Sequence, residues 1–273
     1  MDGGRKRTSK QLINDMPQGF FPGVWFLITK HWFVFATGVF TTLVIAIIGT
    51  LIGIIISLPL VALRVLPKQP MDSKVYRFFR NIGNGLSKAY IQVFRGTPMI
   101  VQATVIYYGV IYFAGYWPAF IAGIVVVGLN TTAYIAEILR GSIQAIEKGQ
   151  SEAGLSLGMT YGQMMLRIVF PQAIKNSLPA FGNEIIVNIK DTAVLSVIAV
   201  SDLFYSSRFL TTTYYRQFEV YFIVSILYLV MTISFSALLK WIEKKLHVVN
   251  RVSTPTSQTT LEVVDVSDGH GHH

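Results

Sequence analysis

Three stretches of this chain carry no charged residue at all: Trp32 to Leu63, Gly96 to Ala136, and Val220 to Leu239. About 20 apolar residues are enough to cross the hydrocarbon core of a bilayer as a helix, where every backbone amide and carbonyl must find its partner inside the segment. The first and third stretches each predict one span. The middle one is too long for that and contains Gly115-Tyr116-Trp117-Pro118, a turn whose aromatics suit the membrane interface. It therefore predicts two helices joined by a tight loop. A fifth span is expected between Pro171 and Tyr205, where Glu184, Lys190 and Asp191 interrupt the apolar pattern. Composition agrees: 52% of the 273 residues are hydrophobic, only 14% are charged, and the mean hydropathy is +0.51, whereas a soluble domain is about one quarter charged. The first stretch is too long for a signal peptide, and no small-residue cleavage site follows it.

The net charge of +9 could suit nucleic acid in a soluble protein, but here it reads as the basic bias of cytoplasmic loops, and no nucleic-acid partner is expected. With five spans and the N-terminus outside, fourteen lysines and arginines fall in inner loops and seven in outer ones. The C-terminus and the loop before Pro171 are then cytoplasmic, while the basic N-terminal tail pulls against this orientation. Residues 1–30 form a tail whose aromatic patch, Gly19 to Leu27, is too short to span and could lie in the interface. Residues 31–248 form the membrane domain, within which Pro67 to Lys88 are expected to run along the inner surface before a second span beginning near Ala89. Residues 249–273 are Ser- and Thr-rich and end in a His-containing segment that reads as a disordered tail rather than a metal site. There is no cysteine, which excludes disulfides and thiolate metal sites. Within the first span, Gly49 and Gly53 are spaced for close helix packing.

The long loop after the third span, about residues 147–171, holds Ser151-Glu152-Ala153-Gly154-Leu155-Ser156-Leu157-Gly158 and, nine residues later, Ile168-Val169-Phe170-Pro171. Glu152 near a helix start, a short helix to about Leu157, a turn at Gly158 and a helix started by Pro171 are the local expectations. By spacing alone this could be an ordinary surface loop. It resembles the EAA loop of bacterial ABC-importer permeases, with Gly154 in the third place and Phe170 in place of Leu. Three further motifs resemble the polar amino acid group of those permeases, which imports histidine, glutamine, glutamate or arginine: Phe94-Arg95-Gly96-Thr97-Pro98, Ala133 through Gly141, and Lys190-Asp191-Thr192.

The resemblance covers roughly Trp32 to Leu246. It implies an all-α membrane protein of the type I importer class, with about five spans and a cytoplasmic coupling helix. Glu152, Ala153, Gly154, Gly158 and Pro171 would form the contact with a separate ATPase dimer, which would bind ATP and magnesium itself. An extracytoplasmic amino-acid-binding protein and a second permease, identical or homologous, would complete the assembly in the bacterial plasma membrane. The chain has no Gly-x-x-x-x-Gly-Lys-Ser/Thr loop to cradle phosphates, and no catalytic, cofactor or metal residue is assigned.

Ionisable and amide side chains at membrane depth are costly unless they face water or a partner. Arg95, Gln102, Glu137, Glu184, Lys190 and Asp191 are therefore candidates for the substrate path. Helical spacing adds Asn130 and Tyr134 on the face of Glu137, and Asn188 on that of Glu184 and Asp191. Arg95 would meet a carboxylate and Glu184 or Asp191 an ammonium; alternatively, each residue pairs with another to hold the bundle. An ion-coupled carrier is the main competing class, but it usually shows two related halves, which are not seen here. A channel subunit or membrane enzyme lacks a recognisable filter or active-site cluster.

Overall fold

A computed structural model describes residues 17–65 and 73–245; the remainder of both tails and of the 66–72 connection lies outside the described residues. The described chain is helical: α1 (Phe20–Val65), α2 (Lys74–Gly96), α3 (Met99–Ala114), α4 (Ala119–Gln144), α5 (Lys148–Ser156), α6 (Tyr161–Met164), α7 (Phe170–Asp191), α8 (Leu203–Tyr214) and α9 (Gln217–Lys245). A π turn, Met165–Val169, joins α6 to α7, and a 3₁₀ segment, Thr192–Ile198, follows α7. Of these, α1, α4 and α9 are long and apolar enough to cross a membrane alone, and α2 with α3 qualify as a pair bent by 113°. The expected turn at Gly115 to Pro118 separates α3 from α4, and Gly115 takes the left-handed φ of 83° that favours glycine.

Four boundaries differ from the sequence expectation, each for a local reason. The first helix starts at Phe20 rather than Trp32 and is only interrupted at His31, where φ is −122° and ψ 22°. The segment before the interruption is not peripheral: Leu27 is fully buried, Phe20 packs on Phe218 and Phe222, and His31 Nε2 lies 2.8 Å from Tyr214 Oη. The second helix does not begin anew near Ala89, where nothing breaks it; α2 runs on to Gly96, and the break comes at Pro98, which cannot continue a helix from the preceding turn. The expected span from Pro171 to Tyr205 stops being α-helical at Asp191, tightens to 3₁₀ and ends on a left-handed Ala199. A new helix then begins at Leu203, with Asp202 accepting a 2.9 Å bond from Tyr205 N. Finally, Glu152 sits in the middle of α5, whose first turn begins at Lys148.

The bundle is organised around α1 against α4, its most extensive helix pair. Small residues allow the approach: a Cβ at Gly49 would lie 2.6 Å from Val127 Cγ1, and one at Gly53 2.9 Å from Thr131 Cβ. Asn188 of α7 crosses into this seam and donates to Thr50 Oγ1 and Thr131 Oγ1, both at 2.8 Å. Towards one end α4 and α7 meet again through Ser177 and Ser142, hydroxyl to hydroxyl at 2.8 Å. These two contacts set an antiparallel register that brings Glu184 level with Tyr134 and Ile135. At the other end, Gly38 brings α1 onto the start of α8, where a Cβ would be 2.7 Å from Leu203 Cα, and Thr42 Oγ1 accepts from Leu203 N.

Because the space at Gly49 is filled by the branched stem of Val127, Gly49→Ala forces a shift of packed atoms and is expected to cost about 1–3 kcal/mol. Gly109→Ala, on a helix face with nothing within 4 Å, is expected to be neutral or slightly stabilising. Thermal unfolding of the two variants in detergent separates them: Gly49→Ala melts lower, Gly109→Ala does not.

Candidate functional site

The polar residues named from the sequence divide into two groups in space. The first is turned inward and holds the bundle. Gln102 is buried and donates to Phe94 O and Thr97 O, while its Oε1 accepts from Asn130 Nδ2 at 2.8 Å. Gln102 thus bridges the chain break around Pro98, tying the end of α2 to α3 and α4. Asn188, 2% exposed, donates from its Nδ2 to both threonines of the seam. These three amides satisfy one another and their surroundings, as buried polar groups must in an apolar bundle.

The second group lies on one outward wall formed by α2, α4 and α7. Arg95, exposed at the end of α2, stacks its guanidinium over the Tyr134 ring at 5.5 Å from the centroid. Its charge acts on Glu184, which in turn feels Asp191 one face along α7. Asp191 is half-buried beside the exposed Lys190. One helical turn further along α4, Glu137 accepts from Arg64 of α1 at 2.7 Å and from Arg140 of its own helix at 2.7 Å through Nε, with a second contact through Arg140 Nη2. Arg140 also donates to Gln144. Glu137 is therefore fully engaged by two cations and serves as a clamp between α1 and α4.

Below this clamp the wall opens into a cavity of about 1000 Å³ between α4, α7 and α9. Its α7 side is a stripe the sequence reading missed: Gln172, Asn176, Pro179, Asn183 and Ile186 line it at helical spacing, and the exposed Lys190 continues the same line. The signal was present as amides recurring four and seven residues apart within an otherwise apolar span. Arg64 was also missed as the partner of Glu137, because only the fold reveals which cation the carboxylate meets across 73 positions of sequence.

At the cavity's end the chain forms the loop picked out by motif. Ala153 and Glu152 lie exposed on α5, while Gly154 is buried, and a Cβ there would lie 2.9 Å from Ile168 Cδ1 and 3.2 Å from Met164 Cγ. Gly154 thus seats α5 directly on the π turn. Gly158 takes the left-handed φ of 79° expected of a turn. Thr160 and Gln163 then form a reciprocal capping box at the start of α6. Pro171 stands in the first turn of α7 as expected, but no loop precedes it: helical backbone already runs through Met164 and Val169, and in the π turn Phe170 N bonds to Met165 O. Tyr161 Oη donates to Val65 O at 3.2 Å, so the loop is latched to the end of α1, and burial pushes its phenol up from the ordinary value.

The family profile for the inner membrane component of binding-protein-dependent transport systems matches residues 75–248. The chain is similar to the nopaline transport system permease protein NocM of Agrobacterium fabrum, with 34% identity over 72% of this chain and 81% of the relative. It is likewise similar to the arginine transport system permease protein ArtQ of Bacillus subtilis, with 32% identity over 77% of this chain and 90% of the relative. In structure it superposes on a chain from an amino acid ABC transporter crystallised with histidines, with a TM-score of 0.72 and 37% identity over 84% of this chain and all of that one. A chain of the inward-facing methionine transporter MetNI shares the fold alone, with a TM-score of 0.66 at 20% identity over 80% and 98% of the two chains.

Removing the charge of Glu137 leaves Arg64 and Arg140 facing each other. Glu137→Gln is expected to destabilise the bundle by about 1–3 kcal/mol, the lower part of the range for buried pairs because these side chains are partly exposed. Arg140→Gln, which leaves the Arg64 contact intact, is expected to cost less; thermal unfolding of the two variants gives the order. With an internally packed helical membrane domain and a profile match over residues 75–248, the chain belongs to the inner membrane components of binding-protein-dependent transport systems.

Proposed function

We propose that this chain is the membrane-spanning permease subunit of an ATP-driven importer of polar amino acids. The observation that carries this is the wall on which Arg95, Tyr134, Glu184 and Asp191 stand together above the cavity. A free amino acid presents a carboxylate and an ammonium, and this wall offers a cation for one and two acids for the other on rigid helices. The names of the relatives, permeases for arginine and nopaline, and the amino acid transporter among the solved structures support the same class of solute.

In this reading the loop from Glu152 to Pro171 faces the cytoplasm and docks on a separate ATPase dimer. The exposed side of α5, with Glu152 and Ala153, is the contact surface, and Gly154 passes its displacement to the π turn and so to α7. Alternating access follows when closure of the ATPases rocks α7 and its polar stripe relative to α4. One bundle supplies only one wall of a path, so a second permease, a copy or a homologue, supplies the other. A binding protein on the outer side delivers the solute. ATP and magnesium are bound by the partner ATPase, and this chain's residues supply binding and movement only.

Uptake of labelled amino acids into vesicles holding the assembled transporter tests the reading. Arg95→Gln and Glu184→Gln are each expected to lower ATP-dependent uptake about tenfold or more, the loss of one charge-assisted contact, while the ATPase still co-purifies. Gly154→Leu is expected to uncouple, keeping ATP hydrolysis but losing uptake. Unchanged uptake in both charge variants removes the wall from the substrate path, and uptake that proceeds without any ATPase places the chain among ion-coupled carriers instead.

A further inference from the structure

Helix α2 is amphipathic in the reverse of the usual sense. Between Lys74 and Leu86 its outward face is apolar: Val75, Phe79 and Leu86 are 66%, 66% and 67% exposed, and Phe78 and Ile82 extend the same stripe. Its inward face is polar, with Arg80 only 7% and Ser87 only 2% exposed. On that inward face Asn84 Oδ1 and Ser87 Oγ are buried without a hydrogen-bond partner among the described residues. The outer stripe, in turn, demands an apolar solvent.

The charge pattern narrows the solvent further. From Lys74 to Gly96 the helix carries five cations, Lys74, Arg77, Arg80, Lys88 and Arg95, and no acid. Lys74 and Lys88 are exposed and stand to the side of the apolar stripe and beyond it, where a long side chain can reach out of the hydrocarbon. The 113° bend to α3 lets α2 leave the direction of that span. Gly83 meets Leu63 at the end of α1, on the same end of the bundle as Tyr161 and the α5 loop. Leu63, at the end of α1 beside α2, is itself exposed.

We infer that the N-terminal half of α2 is a lipid-recognition element: it lies in the leaflet on the side of the α5 loop, with Val75, Phe79, Ile82 and Leu86 among the acyl chains and Lys74 and Lys88 on the headgroups of anionic phospholipid. The surface selects anionic over zwitterionic lipid by charge, each cation near the surface favouring it roughly fivefold. The inference concerns the membrane placement of α2 and stands apart from the solute carried.

The chain contains no cysteine, so Phe79→Cys gives a single labelling site on the stripe. The assembled transporter carrying a fluorophore there is reconstituted in vesicles of phosphatidylcholine and phosphatidylglycerol, and quenching by the brominated form of each lipid is compared at low salt. The expected result is quenching by both, with phosphatidylglycerol favoured about fivefold or more at equal mole fraction. In the double variant Lys74→Gln, Lys88→Gln the preference falls towards parity, whereas Lys74→Arg, Lys88→Arg keeps it. Equal quenching by the two lipids in the unaltered background overturns the headgroup assignment. Absence of quenching by either, or cross-linking of the site to that of a second copy, overturns the lipid assignment by showing a protein cover. Thermal unfolding of each variant, matched to the parent, confirms that the comparison is between folded assemblies.

Discussion

The tie made by Asn188 sets the arrangement on which everything else rests. In hydrocarbon an amide without a partner is expensive, so the carboxamide of Asn188 reaches the two hydroxyls that can serve it, Thr50 on α1 and Thr131 on α4. Three helices are thereby pinned at one depth, and the glycines at 49 and 53 permit them to close on that point. Once α7 is pinned there, its remaining register follows. Glu184 comes level with Tyr134 and Arg95, and the amides at 172, 176 and 183 turn towards the cavity.

The same division explains which polar residues hold and which are available. Gln102, Asn130 and Asn188 spend their hydrogen bonds inside the bundle, and Glu137 spends its charge on Arg64 and Arg140. Arg95 and Lys190 are exposed at the edge, with Glu184 and Asp191 half-buried beside them. Below them, the exposed Glu152, the seat at Gly154 and the π turn before Pro171 form a continuous packed line from the loop surface to α7.

Much of this was legible in the residues. The charge-free runs mark α1, α4 and α9 as spans, with α3 qualifying only as a bent pair with α2; Gly115 to Pro118 mark the turn between α3 and α4, and the loop motif marks the position of α5 and its Gly158 turn. The misplacements have physical causes. Hydropathy changes at Trp32, but α1 continues back to Phe20, which packs on Phe218 and Phe222. Hydropathy carries the span after Pro171 too far because Thr192 to Ser201 is as apolar as a helix, although Asp202 caps a new one. Helical spacing groups Asn130 with Glu137 and Asn188 with Glu184, and the fold gives each a different partner: Gln102 for Asn130, Arg64 and Arg140 for Glu137, Thr50 and Thr131 for Asn188. That choice depends on the partners brought up by distant helices, and those partners are invisible in a single stretch of sequence.

The most direct test of the account is the solvent at Asn183, which should face a water-filled path rather than lipid. In the cysteine-free chain, Asn183→Cys in the assembled transporter is probed with a charged, water-soluble thiol reagent, with and without ATP trapped in the hydrolysis state. The account predicts ready labelling in the resting assembly and strong protection in the trapped one, as the path closes around α7. A site that the reagent never reaches, or that reacts equally in both states, would contradict it.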